Sequence, residues 1–107
     1  MVFIETSVFT RQITAMLPDD SYRLLQNALL DNPLLGDASQ GSGGIRKVRW
    51  MSSDGGKRGG VRVMYYWAVQ RDVCLMLYAY SKNELENLTP SQLNTLAKVV
   101  KVEFDHE

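Results

Sequence analysis

Basic residues are concentrated in about one quarter of this 107-residue chain. The segment from Ile45 to Arg71 holds seven of the twelve lysines and arginines, and Asp54 is its only acidic residue. Because the whole chain has zero formal net charge, this positive charge is a local patch. A basic patch interleaved with aromatic residues is typical of a surface that binds an anionic polymer, and RNA is the natural candidate. The seven residues are Arg46, Lys47, Arg49, Lys57, Arg58, Arg62 and Arg71.

These residue types could perform phosphate chemistry. A guanidinium group can contact a phosphate through two N–H groups, and fixed positive charge stabilises negative charge that develops during attack on phosphorus. A lysine crowded by other cations, such as Lys47 or Lys82, could act as a base or an acid near neutral pH. The single histidine, His106, lies one residue from the C-terminus and is not expected to contribute. No cluster of histidine and cysteine has metal-ligand spacing, so neither a metal nor a cofactor is expected.

Length and composition predict one domain over residues 1–107. Cys74 is the only cysteine, which excludes an internal disulfide and favours a reducing compartment. The N-terminus lacks the features of a signal peptide, and no apolar run approaches the roughly 20 residues of a membrane span. We therefore expect a cytoplasmic protein without membrane contact.

The first half of the chain predicts one short strand and two helices. Val2–Thr6 alternates like a strand, and Ser7 could cap a helix that begins near Val8. Pro18 ends that helix, and an Asp or Ser at the following positions would cap a second one at about Asp20–Asn32. A connector rich in Gly, Ser and Asp follows as far as Gly44.

The second half predicts three strands and a final helix. The strands are Ile45–Ser52, Val61–Val69 and Val73–Tyr80, and the last is apolar on both faces, as a central strand is. Arg71-Asp72 would form the hairpin turn. A helix capped by Thr89 would run from Pro90 to Phe104.

The predicted order, β-α-α-β-β-β-α, indicates an α+β fold with a twisted, mainly antiparallel sheet and helices packed on one face. Strand alternation then separates two sets of side chains. The set expected to face the helices is Val48, Trp50, Val61, Val63, Tyr65, Trp67, Leu75 and Leu77. The set expected to share the open face is Lys47, Arg49, Arg62, Tyr66, Tyr78 and Tyr80.

Several of these motifs, in this order, resemble the HigB-type branch of the RelE/ParE toxin superfamily. They are Gly44–Arg49, a glycine- and lysine-rich loop, Gly60–Tyr66, and Tyr80–Glu84 after an apolar strand; Asn32–Asp37 and Gly41–Gly44 also fit. The resemblance covers nearly the whole chain. It implies a RelE-like fold and a ribosome-dependent mRNA endonuclease toxin. Such an enzyme uses the substrate's own 2′-hydroxyl as nucleophile and leaves a cyclic phosphate and a free 5′-hydroxyl.

The resemblance also implies roles for individual residues. The family's basic pair falls on Lys47 and Arg49, and its phosphate-stabilising arginine falls on Arg62. Where the RelE prototype has a Lys-Arg pair, this chain has Lys82-Asn83, so Lys82 remains a catalytic candidate and one arginine is missing. The prototype's C-terminal tyrosine has no counterpart, because the aligned region is Asn87–Thr89.

A further group of residues is expected to contact RNA or the ribosome. The tyrosines could stack on bases or could belong to the core. Lys57 and Arg58 could equally form a solvated turn, Lys47 and Arg49 could only protect an edge strand, and Arg62 could pair with a carboxylate. The expected contact residues are Arg46, Lys57, Arg58, Tyr66, Tyr78 and Tyr80.

The partners implied by the resemblance are the ribosome, mRNA and a cognate antitoxin, a HigA-type helix-turn-helix protein, with the free toxin a monomer. Two other functions remain open. The superfamily contains gyrase poisons, which bind without cleaving RNA, and the missing arginine is compatible with an RNA-binding module that has lost catalysis.

Overall fold

The computed structural model describes residues 1–52 and 60–104. The predicted order of elements is confirmed, with two additions, a two-residue strand inside the predicted connector and a 3-10 turn before the last strand. In chain order the elements are β1 (Val2–Glu5), α1 (Ser7–Met16), α2 (Asp19–Asp31), β2 (Asp37–Ala38), β3 (Ile45–Trp50), β4 (Val61–Ala68), a 3-10 turn (Val69–Arg71), β5 (Val73–Ser81) and α3 (Pro90–Phe104).

The five strands form one sheet in the order β1-β5-β4-β3-β2. Only the pairing of β1 with β5 is parallel within this sheet; the other three pairings are antiparallel. The apolar strand β5 lies between β1 and β4, and most of its side chains are buried, as expected of an interior strand. The predicted α+β class with a mainly antiparallel sheet is therefore confirmed.

The helix starts follow local hydrogen bonding. Thr6, and not Ser7 as predicted, caps α1, because its hydroxyl oxygen accepts from the backbone N–H of Phe9 at 3.1 Å. The predicted Asp or Ser cap of α2 is also wrong, since Pro18 occupies that position without a side-chain bond. The predicted cap of α3 is confirmed: Thr89 and Gln92 satisfy each other's backbone N–H groups in a capping box.

Helices α1 and α2 pack on one face of the sheet. Their apolar residues meet side chains that alternate along β3, β4 and β5, which confirms the predicted inward set on β3 and β4 except for Trp67, which is half-buried and lies outside both cores. Burial of these side chains supplies the larger of two apolar cores. Its buried members are Phe9, Ile13, Leu17, Leu25, Leu29, Val48, Val61, Val63, Tyr65, Cys74, Met76 and Ala79.

Helix α3 packs on the opposite face, which the sequence had suggested would be open. It covers a second core that includes Leu75 and Leu77, so the predicted placement of these two residues with the first helices is wrong. The register shifts between Met64 and Tyr65, so that β5 carries one extra residue there. The buried members of this core are Ile45, Met64, Leu75, Leu77, Tyr80 and Leu96.

The connector between α2 and β3 is pinned to the sheet by Tyr65. Its hydroxyl accepts from the Gly36 N–H at 2.9 Å and donates to the Pro33 carbonyl at 2.8 Å. A Cβ atom on Gly36 would lie 2.8 Å from the Lys47 carbonyl oxygen, so only glycine allows this close approach. The connector therefore holds β2 at the edge beside β3.

Within the described ranges, no helix has the length and apolar character needed to cross a membrane.

Candidate functional site

Three predicted site residues share one face of the sheet. Arg49 on β3 lies directly opposite Arg62 on β4, and Arg62 lies directly opposite Tyr80 on β5. In the next row of the ladder Lys47 lies opposite Met64. Residues directly opposite each other in a ladder project to the same side, with Cβ atoms about 4.5–5.5 Å apart. We call the surface formed by Lys47, Arg49 and Arg62 the cation face.

The cation face lies on the side of the sheet that carries α3. Met64 and Tyr80, which flank it in the ladder, belong to the core beneath α3. The Arg49 side chain is nevertheless exposed, and those of Lys47 and Arg62 are half-buried. Helix α3 thus covers only part of this side of the sheet and leaves the basic row accessible.

Arg49 and Arg62 lie directly opposite each other, so both add to the positive potential on this side of the sheet. A phosphate beside them would be attracted by both charges, because each guanidinium can donate two N–H groups to phosphate oxygens. The arrangement of Arg49 and Arg62 on adjacent strands is therefore suited to hold an RNA phosphate and to stabilise additional negative charge on it.

Lys47 has a specific partner outside the sheet. Its ammonium group donates to the side-chain oxygen of Asn87 at 2.8 Å. Asn87 lies in the segment between β5 and α3, forty residues along the chain from Lys47. Sequence reasoning missed this residue, and neither its spacing nor its type signals the contact. Asp37 on β2, directly opposite Lys47, was also missed as a neighbour of the cation face.

Lys82 follows β5 at the same end of the sheet. Its backbone nitrogen lies 3.5 Å from the carbonyl oxygen of Gly60, just before β4, and its side chain is exposed. Since Gly60 is two residues from Arg62, this places Lys82 near the cation face, and its catalytic role stays a prediction.

The prediction that Arg46 contacts RNA is not supported by its position. Arg46 lies opposite Tyr65, whose ring belongs to the core beneath α1 and α2, so it projects away from the cation face. Its guanidinium donates to the Gly36 carbonyl at 2.6 Å. Arg46 therefore fixes the connector before β3. Strand alternation with Lys47 was the sequence signal that could have shown this.

The three predicted stacking tyrosines differ in accessibility. The prediction that Tyr80 is an exposed stacking platform is wrong, because the residue is only 2% accessible. Tyr66 is half-buried, and its ring packs on Phe104 of α3 with centroids 5.6 Å apart. Tyr78 is half-buried and lines a cavity of about 140 Å³ with Leu88 and Leu96. A stacking role for Tyr66 and Tyr78 stays a prediction.

The hydroxyl of Tyr80 is buried and has no hydrogen-bond partner among the described residues. Burial raises the pKa of Tyr80, and the positive charge of Arg62 partly opposes this effect. Tyr80 is therefore a neutral phenol beside the cation face. Burial also raises the pKa of Cys74 to about 12, as expected for the predicted small buried hydrophobe.

Other predicted residues lie outside the described ranges, namely Lys57, Arg58 and His106. Across residues 1–52 and 60–104, no three His, Cys, Asp or Glu side chains are grouped as metal ligands are.

Comparison with known proteins supports the fold. No protein-family model matches the sequence. Among solved structures, the chain is similar to a double arginine-to-alanine mutant of the Escherichia coli toxin RelE in the free state. The match has a TM-score of 0.61 at 13% sequence identity and covers 92% of this chain and 95% of that chain. The chain therefore has a RelE-like fold.

Proposed function

We propose that this protein is the toxin of a toxin–antitoxin pair and cleaves mRNA on the ribosome. The observation that carries the proposal is the cation face, where Arg49 and Arg62 oppose each other across two strands and Lys47 lies beside them. The RelE-like fold and the HigB-type motifs of the sequence support the same conclusion.

The proposed reaction is a metal-independent transesterification. The 2′-hydroxyl loses its proton and attacks the adjacent phosphorus, so that the O2′–P bond forms and the P–O5′ bond breaks. The products are a 2′,3′-cyclic phosphate and a 5′-oxygen leaving group, which takes up a proton and becomes a 5′-hydroxyl. Arg62 and Arg49 stabilise the extra negative charge on the phosphorane, and Lys47 and Lys82 are the groups placed to move protons.

The ribosome supplies what this site lacks. Neither a histidine pair nor a carboxylate dyad stands on the cation face among the described residues, so the protein depends on the ribosome to align the 2′-hydroxyl with the phosphate. Alignment of this kind can contribute several kcal/mol to barrier reduction. We place the reaction in the ribosomal A site, in the cytoplasm, with the free toxin a monomer that is silenced by a HigA-type antitoxin.

A second candidate function rests on one departure from the family pattern. Asn83 follows Lys82 where the RelE prototype has an arginine. Loss of that charge would weaken transition-state stabilisation more than ground-state binding. The alternative is a protein of the same fold that binds its target, RNA or gyrase, without cleaving RNA.

Purified protein added to translating ribosomes distinguishes these candidates. We expect mRNA cuts with 2′,3′-cyclic phosphate ends inside reading frames, and almost none in the same RNA without ribosomes. Ribosome binding without cuts would support the non-cleaving RNA-binding protein. Inhibition of gyrase without ribosome binding would support the gyrase poison. Metal-dependent degradation of free RNA at a similar rate would contradict the proposed mechanism.

A further inference from the structure

One hydrogen bond at the cation face joins two segments that no sequence motif connects. The Lys47 ammonium donates to the Asn87 side-chain oxygen at 2.8 Å, and this joins β3 to the segment before α3. Lys47 is half-buried and Asn87 is exposed, so the hydrogen bond lies near the solvent-exposed edge of the cation face. Asn87 stands in the region where the RelE prototype has its C-terminal tyrosine and this chain has none.

A neutral acceptor suits a lysine that must move a proton. An amide oxygen accepts an N–H from a charged ammonium and also from a neutral amine, so the contact persists in both protonation states. The amide adds no negative charge, whereas Asp37, directly opposite Lys47 on β2, already places a carboxylate beside it. With one N–H held by Asn87, the remaining positions on the Lys47 nitrogen, including the lone pair of the neutral amine, are left for the substrate.

Other charged or titratable groups surround Lys47. Asp37 lies directly opposite Lys47 on β2, and Arg49 lies two residues further along β3. Arg62 lies diagonally opposite on β4, and Tyr78 lies two strands away on β5. Glu86 is adjacent to Asn87 in the chain.

We propose that Asn87 is a positioning residue that orients the Lys47 amine toward the RNA at the cation face. It acts through Lys47, whose ammonium group it holds at 2.8 Å. A long lysine side chain has many rotamers, and fixing one of them before the RNA binds raises the fraction of productive complexes. This inference rests on the proposed nuclease function.

The test compares single-turnover cleavage on ribosomes carrying a defined mRNA, at saturating protein. Asn87→Ala removes the acceptor, and Asn87→Asp keeps an acceptor oxygen and adds a charge. Asn27→Ala, an exposed asparagine on α2 at the other side of the sheet, is the matched control. Asn87→Ala is also made in the Lys47→Ala background, so that a double-mutant cycle measures the coupling between the two side chains. Thermal melts verify that each variant is folded.

We expect Asn87→Ala to lower the cleavage rate about five- to tenfold, the usual effect of one oriented hydrogen bond, with ribosome affinity unchanged within about twofold. Asn87→Asp, which keeps an acceptor oxygen, should stay closer to the parental rate than Asn87→Ala. In the Lys47→Ala background, Asn87→Ala should change the rate by less than about twofold, because Asn87 acts through Lys47. Asn27→Ala should behave like the parent.

Three results would overturn the inference. If Asn87→Ala cleaves as fast as the parent, the inference is wrong while the proposed function stands. If Asn87→Ala slows the Lys47→Ala protein by the same factor as it slows the parent, the contact supports the loop and does not act on Lys47. If the parent itself does not cleave mRNA on ribosomes, the proposed function and this inference fail together.

Discussion

Arg49 and Arg62 lie directly opposite each other on β3 and β4. Both residues stand on strands and not in a loop, so the backbone from which their side chains project is held in place by the sheet. Charges that need little reorganisation stabilise a developing anion better than mobile ones. At the scale of single residues, the two arginines therefore concentrate positive charge where an anion could bind.

The buried hydroxyl of Tyr80 gives a prediction about stability. Because it has no partner among the described residues, Tyr80→Phe removes an unsatisfied buried group and leaves the ring in the core. We expect the free energy of unfolding to stay equal or to rise by up to about 1–2 kcal/mol. Urea denaturation of both proteins measures this. A loss of more than about 1 kcal/mol would mean that the hydroxyl has a partner in solution.

The residues of the cation face were predictable because strand alternation is strict. Once Val48 and Val63 are assigned to the core, Lys47, Arg49 and Arg62 must share the other side. Asn87 was not predictable, since the path of the segment from β5 to α3 depends on how α3 packs. Tyr80 projects as predicted, but its burial depends on the same helix.

At the scale of elements, the connector before β3 orients the strand that carries Lys47 and Arg49. The Tyr65 hydroxyl accepts a hydrogen bond from the Gly36 N–H, and the Arg46 guanidinium donates to the Gly36 carbonyl. Because Gly36 has no side chain, the connector can pass close to the Lys47 backbone. Arg46 therefore stabilises the connector, although it lies within the basic segment of the sequence.

Arg46→Ala tests this assignment. We expect it to destabilise the protein by about 1–3 kcal/mol, because the Gly36 carbonyl loses a charge-assisted partner. Ribosome binding and cleavage by the folded fraction should stay close to those of the parent. The measurements are urea denaturation and the ribosome cleavage assay, below the melting temperature of the variant. A stable protein with weakened ribosome binding would return Arg46 to the RNA-contacting set.

The elements themselves were largely predictable, and their packing was less so. Hydrophobic periodicity predicted the three helices and four of the five strands; β2 was missed because two residues carry no periodic signal. The face covered by α3 was missed for two reasons. An interior strand that is apolar on both faces does not indicate which helix it meets, and the extra residue in β5 changes its alternation.

At the scale of the whole molecule, the protein has no net charge, so any attraction to an anionic partner comes from the local basic patch. For the proposed ribosome binding, long-range attraction is weak because the chain has no net charge, so the affinity depends on the surface where the cations are concentrated. An antitoxin that competes for this surface would block both binding and catalysis.

We therefore predict that the antitoxin covers the cation face. Arginine-selective modification with phenylglyoxal, followed by peptide mass spectrometry, measures this in the free toxin and in the complex. Arg49, which is exposed in the free protein, should become protected. Arg11 and Arg23, exposed on α1 and α2, serve as the comparison and should keep reacting. Unchanged labelling of Arg49 in an inactive complex would point to steric exclusion from the ribosome.

The most direct test of the account is cleavage of mRNA on programmed ribosomes by Arg62→Ala. Arg11→Ala, which removes an exposed arginine from α1 on the other side of the sheet, is the matched control. Removing one preorganised charge from a developing phosphorane typically costs about 3–4 kcal/mol. We therefore predict that folded Arg62→Ala cleaves at least about a hundredfold more slowly than the parent, while Arg11→Ala keeps the parental rate. If folded Arg62→Ala cleaves as fast as the parent, the cation face is not the catalytic site.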